Sequence, residues 1–172
     1  MKKLIFTLAF LLSAFCFGSQ AQAQQNYGTA LGLRFGPRYG LTAKHFFKAP
    51  WAVEGILSTR GWNNGRNGRG LGGFNLAVLA EWHGALPNAK GFAWYAGLGG
   101  HIGSWYGRGV WGSNYDDRYY TVIGVDAIFG LEYTFPSAPF NISIDWKPEF
   151  DLNGYSRFWG DGIALSFRIK LK

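Results

Sequence analysis

Residues 140–152 read FNISIDWKPEFDL, with a polar or charged residue at nearly every second position. Asn141, Ser143, Asp145, Lys147, Glu149 and Asp151 alternate with Phe140, Ile142, Ile144, Trp146, Pro148 and Phe150. A period of two is the signature of a β-strand, because successive side chains of an extended chain point to opposite faces. One face of this ribbon is apolar and aromatic, and the other carries charges of both signs.

The same alternation recurs along the chain in both directions. It predicts eight strands, at 27–35, 41–47, 51–59, 71–83, 92–105, 120–135, 140–151 and 161–171. In the sixth, Thr121, Ile123, Val125, Ala127, Phe129, Leu131, Tyr133 and Phe135 share one face. In the eighth, Ile163, Leu165, Phe167, Ile169 and Leu171 oppose Gly162, Ala164, Ser166, Arg168 and Lys170. No stretch of comparable length has helical periodicity. With 26 glycines and 19% aromatics, but only 16% charged residues, the chain fits neither a collagen-like nor a disordered class.

Residues 1–23 are expected to be a cleaved signal peptide: Lys2 and Lys3, an apolar run over 4–18, then Ala21-Gln22-Ala23. The remaining domain, 24–172, then starts near Gln24. Cys16, the only cysteine, lies inside this leader as apolar filler, so the mature chain has no disulfide or thiolate metal site. Loss of the two leader lysines lowers the formal net charge from +7 to +5.

The connections fall into two kinds. FKAP (47–50), LPNAKG (86–91) and PSAP (136–139) are short and contain proline, whereas 60–70, 106–118 and 153–160 are long and rich in Gly, Asn, Arg and aromatics. Only GPRYG (36–40) breaks the length rule. Short turns at one end and long loops at the other is the layout of an outer-membrane barrel. The polar face carries many small residues, including Gly28, Ala30, Gly32, Gly97, Gly99, Gly124 and Gly130. These suit the crowded inside of an eight-stranded cylinder rather than a water-exposed face. Aromatics gather at strand ends, as Trp51, Phe92, Trp94, Tyr133, Phe135 and Phe140 do beside the short turns. Belts of rings around an aliphatic band are what the two surfaces of a bilayer select. The expected fold is therefore all-β: an eight-stranded antiparallel up-and-down transmembrane barrel, with apolar residues outward. His45 is the only basic residue assigned to the lipid side. Pro148, which has no N–H for a ladder, is expected at a bulge or near the outer end of its strand.

The alternation, the proline turns, and the run GLEYTFPSAPFNISIDWKPEFDL before GDGIALSFRIKLK resemble small outer-membrane β-barrel proteins of OmpX-like architecture. That resemblance spans the mature chain and implies insertion by the barrel-assembly machinery into the bacterial outer membrane after Sec-type export. Chains of this kind commonly end on an aromatic; this one ends Leu171-Lys172.

The inward face is expected to carry a network of Arg34, Lys44, Lys147, Arg168 and Lys170 with Glu54, Glu81, Asp126, Glu132, Asp145 and Glu149. Buried charges need partners, so this network should plug the lumen. Basic residues assigned to the loops at the long-loop end are all arginine, and they neighbour tryptophans. Arg60, Trp62, Arg66, Arg69, Arg108, Trp111, Arg118, Arg157 and Trp159 form a candidate surface for lipopolysaccharide phosphates, since guanidinium groups bind phosphate in a fork and stack on rings. Arg38 and Asp151 are also assigned to loops.

Catalytic and metal residues are not expected. His101 and Ser104 are three apart and face opposite sides of a strand, and the three histidines lack ligand spacing. The function expected is a monomeric, non-enzymatic envelope or surface-binding protein, without cofactor or nucleic acid. A lipid A-modifying enzyme and a soluble periplasmic ligand-binding barrel are the alternatives, and a diffusion pore ranks behind both.

Overall fold

The computed structural model describes residues 27–60, 72–108, 117–153, 158–160 and 162–171. The expected leader at 1–23 lies outside them. Ten β segments follow one another: β1 (Thr29–Phe35), β2 (Arg38–Lys48), β3 (Trp51–Arg60), β4 (Gly72–Ala85), β5 (Phe92–Arg108), β6 (Asp117–Thr134), β7 (Phe140–Trp146), β8 (Glu149–Asp151), β9 (Phe158–Trp159) and β10 (Ile163–Leu171). Each of β1 to β6 pairs antiparallel with its successor in the chain, β6 pairs with both β7 and β8, and β10 pairs with β7 and with β1. The sheet therefore meets itself. With β7 and β8 as one interrupted strand and β9 and β10 as another, it is a closed eight-stranded antiparallel barrel, which leaves no unpaired edge.

Several boundaries differ from the sequence expectation: β2, β5 and β6 reach further toward the long-loop end, β4 runs on to Ala85 at the short-turn end, and β1 begins two residues later, at Thr29. β2 begins at Arg38, so the first connection is only Gly36–Pro37. β5 and β6 stay paired as far as Gly107 opposite Arg118 and Arg108 opposite Asp117. Glycine- and arginine-rich composition reads as loop, but an antiparallel hairpin extends wherever both backbones can keep exchanging hydrogen bonds.

Pro148 interrupts its strand without slipping the register toward β6, where Trp146 faces Phe129 and Glu149 faces Asp126. The irregularity falls on the other neighbour. Ile163 opposes Trp146 and Trp159 opposes Glu149, so four steps along the eighth strand match three along the seventh. One residue near Gly160 is extra, a bulge set against the proline that cannot donate to it.

Orientation follows the predicted sense. Leu33, Leu57, Val78, Ile123, Ile144 and Leu165 are all outward and exposed, while Arg168, Lys44, Glu54 and Glu81 are fully buried. The soluble-barrel alternative requires the apolar face inside; Ile144 at 52%, Leu165 at 49% and Phe167 at 39% exposure overturn it. Exposed greasy residues all round a closed cylinder are stable only against hydrocarbon. Rings collect at the short-turn end, with Trp82 on Trp94 at 5.0 Å, Phe92 on Tyr133 at 4.6 Å and Tyr133 on Phe135 at 4.7 Å. His45 is outward, as expected, and shares a 2.8 Å hydrogen bond with Thr29 Oγ1. The lumen is less uniformly polar than expected, for Ile56, Ala77, Leu79, Tyr95 and Ile128 form an apolar layer within it.

Candidate functional site

Because the buried charged residues on neighbouring strands point inward, the lumen becomes a stack of ion pairs. Toward the short-turn end, Lys44 Nζ reaches Glu81 Oε2 at 2.8 Å, Glu54 Oε2 at 3.1 Å and Glu132 Oε2 at 3.3 Å. It also lies 3.9 Å above the ring of Tyr95. Arg168 contacts Glu54 Oε1 at 2.5 Å, and donates to Ser143 Oγ at 2.8 Å, Thr42 Oγ1 at 3.2 Å and Asn141 Oδ1 at 3.3 Å. Tyr27 OH donates to Glu132 at 2.7 Å, and His83 Nε2 lies 3.0 Å from Glu81. Above this tier, Arg34 grips both oxygens of Asp145, which also accepts from Tyr95 OH at 2.9 Å.

A third tier sits at the long-loop end. Lys147 Nζ is 2.5 Å from Glu149 and 3.4 Å from Asp126, and Arg38 pairs with Glu149 at 2.6 Å. His101 places Nδ1 2.7 Å from Asp126 Oδ1 and Nε2 3.2 Å from Asp151 Oδ1. Trp159 Nε1 donates to Asp151 Oδ2 at 3.1 Å.

Two glycines make room for these large side chains. A Cβ on Gly124 would collide with the His101 ring, and one on Gly130 would come 2.6 Å from the Tyr95 ring. Small residues on one strand thus admit rings from the next, as a narrow filled cylinder demands.

Ten of the eleven residues assigned to the network lie in these tiers. Lys170 is the exception: it is half-buried and donates to the Phe135 carbonyl at 2.9 Å rather than to a carboxylate. Arg38 and Asp151, assigned to loops, are corrected to the lumen, since each lies in a strand and is tied to an inward partner. Tyr27, Tyr95, His83 and His101 complete the network. The sequence signal for Tyr95 is its parity with Ala93, Gly97 and Gly99, which places it on the small-residue face.

The candidate loop surface is only partly in view. Trp62, Arg66, Arg69, Trp111 and Arg157 lie outside the described residues. Arg60, Arg108 and Arg118 lie in strands β3, β5 and β6 rather than in loops. Trp159, in β9, leans over the third tier.

Among the described residues, the charged groups of the lumen are engaged with one another in ion pairs and hydrogen bonds. His101 has a carboxylate partner such as a general base uses, yet Ser104 is on the opposite side of β5, opposite the outward Thr121. His101, Asp126 and Glu149 bring oxygen and nitrogen atoms within 4.8 Å of one another, but the Lys147 ammonium already lies among them. A small pocket at this end is lined by Arg34, Arg38, Ser58, Lys147, Glu149 and Trp159.

No family model matches the chain, and no curated protein matches it in sequence. Solved structures do. The N-terminal β-barrel domain of Pseudomonas aeruginosa OprF superposes with a TM-score of 0.61 at 14% identity, over 84% of this chain and 98% of that one. Neisserial surface protein A gives 0.54 at 10% identity, over 83% and 93%. Yersinia pestis outer membrane protein Ail, in a phospholipid bilayer nanodisc, gives 0.50 at 14% identity, over 85% and 100%. At such identities the likeness is one of fold: this is the OmpX-like architecture of eight-stranded outer-membrane β-barrels.

Proposed function

We propose that the chain resides in the bacterial outer membrane after Sec-type export and acts there without catalysis. It supports the envelope and presents its long loops as a binding surface. The observation that carries this reading is the closure of the lumen. Lys44, Glu54, Glu81 and Arg168 have no solvent exposure, and the two cations are ion-paired to the two carboxylates inside the lumen. A cylinder filled in this way is a rigid pedestal rather than a conduit. What it can offer a partner is then its outer surface and its loops. Reconstitution into planar bilayers is expected to give no stepwise conductance, whereas resolved channel openings would overturn the pedestal reading. Arginine-rich loops beside tryptophans favour phosphate-bearing lipids as the ligand class. Arg66→Gln with Arg69→Gln should weaken capture by vesicles containing lipopolysaccharide without altering heat-modifiable gel migration, and unchanged capture would remove those two residues from the surface.

A further inference from the structure

Among the described residues, the third tier is one positive charge short. Asp126, Glu149 and Asp151 meet only two permanent cations there among the described residues, Lys147 and Arg38. His101 stands between two of the carboxylates, with Asp126 on Nδ1 and Asp151 on Nε2. A neutral imidazole carries one N–H, so one of these contacts would set a lone pair against a carboxylate oxygen. The imidazolium suits both carboxylates and balances the charge: Nδ1 is hydrogen-bonded to Asp126 Oδ1, and Nε2 makes a 3.2 Å ion-pair contact with Asp151 Oδ1.

The two carboxylates stand on neighbouring strands, Asp126 on β6 opposite Glu149 and Asp151 on β8 opposite Gly124. Asp126 is deep in β6, while Asp151 ends β8 at the base of the last long connection. That base is otherwise held by the β6–β8 pairing, by Trp159 Nε1 on Asp151 Oδ2 at 3.1 Å, by Leu152 N on Ile123 O at 2.9 Å, and by Asn153, which accepts from Ile123 N at 2.6 Å and donates to Thr121 O at 3.1 Å. On the remaining side of His101, β4 presents Asn75 and Ala77, neither of which titrates.

We propose that His101 is a proton-operated latch. Protonated, it ties Asp151 to Asp126 and fastens the end of β8, with Leu152 and Asn153 beyond it, to β6. Deprotonated, it releases Asp151 and loosens that end. The sense follows from the charge: the tie is present at low pH and is lost as pH rises past the imidazole's titration. An anion in the neighbouring pocket would add to the shortfall, so the group that completes this tier is a cation, and a proton is the smallest.

The test is amide hydrogen exchange on the barrel in lipid nanodiscs, with protection factors corrected for intrinsic rates, between about pH 5 and pH 8. Protection at Leu152 and Ile123, whose N–H groups donate to Ile123 O and Asn153 Oδ1, should fall by about tenfold across that range, the order expected for losing one charged contact. His101→Gln should make it independent of pH. Asp151→Asn, which leaves the imidazole in place, should do the same, and heat-modifiable migration reports whether each variant is folded. Protection in the wild type that does not change with pH would overturn the proposal, as would a pH response that survives in His101→Gln. A response abolished by EDTA would make the missing charge a metal ion and overturn it as well.

Discussion

Arg168→Met is the sharpest test of a packed, dry lumen. The guanidinium is fully buried and sits 2.5 Å from Glu54 Oε1 and 3.8 Å from Glu132 Oε2, with Ser143, Thr42 and Asn141 completing its shell. Methionine fills a similar length but brings no charge and no donor. Glu54 and Glu132 would then share Lys44 alone, together with Glu81. Removing one partner from a buried ion pair costs about 3–5 kcal/mol, because the other charge stays behind uncompensated. That is roughly two to three and a half powers of ten in the folded-to-unfolded ratio. Equilibrium urea unfolding of the barrel in lipid vesicles, followed by tryptophan fluorescence, measures it. Adding Glu54→Gln to Arg168→Met removes the stranded charge and should recover more than half of the loss. If Arg168→Met costs under about 1 kcal/mol, the value typical of a solvated pair, the lumen is wet. If the double variant is worse than the single one, Glu54 and Arg168 do not act as a pair.

Two further substitutions probe the wall from either side. Leu165→Lys places an ammonium on the outward face beside Ile144, well inside the apolar band, and should cost about 2–4 kcal/mol in the same vesicle assay; a neutral effect would mean that this face is not against lipid. Gly130→Val pushes a branched side chain into Tyr95 and Asp145, and should cost about 1–3 kcal/mol by overpacking, read as a lowered urea midpoint with an unchanged slope.

Much of this architecture could be read from alternation, because a two-residue period reports local backbone geometry and which face each side chain takes. Ile144 and Asp145 were separable on that basis before any partner was known. The pairs were not. Arg34 meets Asp145 across 111 positions of sequence, and Tyr27 meets Glu132 across 105. Which inward residues share a level depends on the stagger accumulated around the closed sheet, and no local stretch encodes that. Arg38 and Asp151 were misassigned for a related reason. Each lies beside turn-forming residues, Gly36–Pro37 and Asn153–Gly154, and composition there outweighs the strand that the pairing imposes. The bulge opposite Pro148 was half legible: the missing donor announced an irregularity, but not that the neighbouring strand would absorb it.

The long β5–β6 ladder gives the cylinder unequal height. Its strands hold 17 and 18 residues, against 7 in β1 and 11 in β2. At about 3.3 Å per residue and a tilt near 40°, the taller pair rises roughly 40 Å, some 15 Å beyond an apolar band of about 25 Å. The β1–β2 corner, closed by a two-residue turn, ends close to the headgroups. A bulky visitor from outside therefore meets a parapet on one flank and a doorstep on the other. An antibody against a peptide inserted between 109 and 116 should stain intact cells, while the same peptide at Gly36–Pro37 should stay shielded by the surrounding lipid.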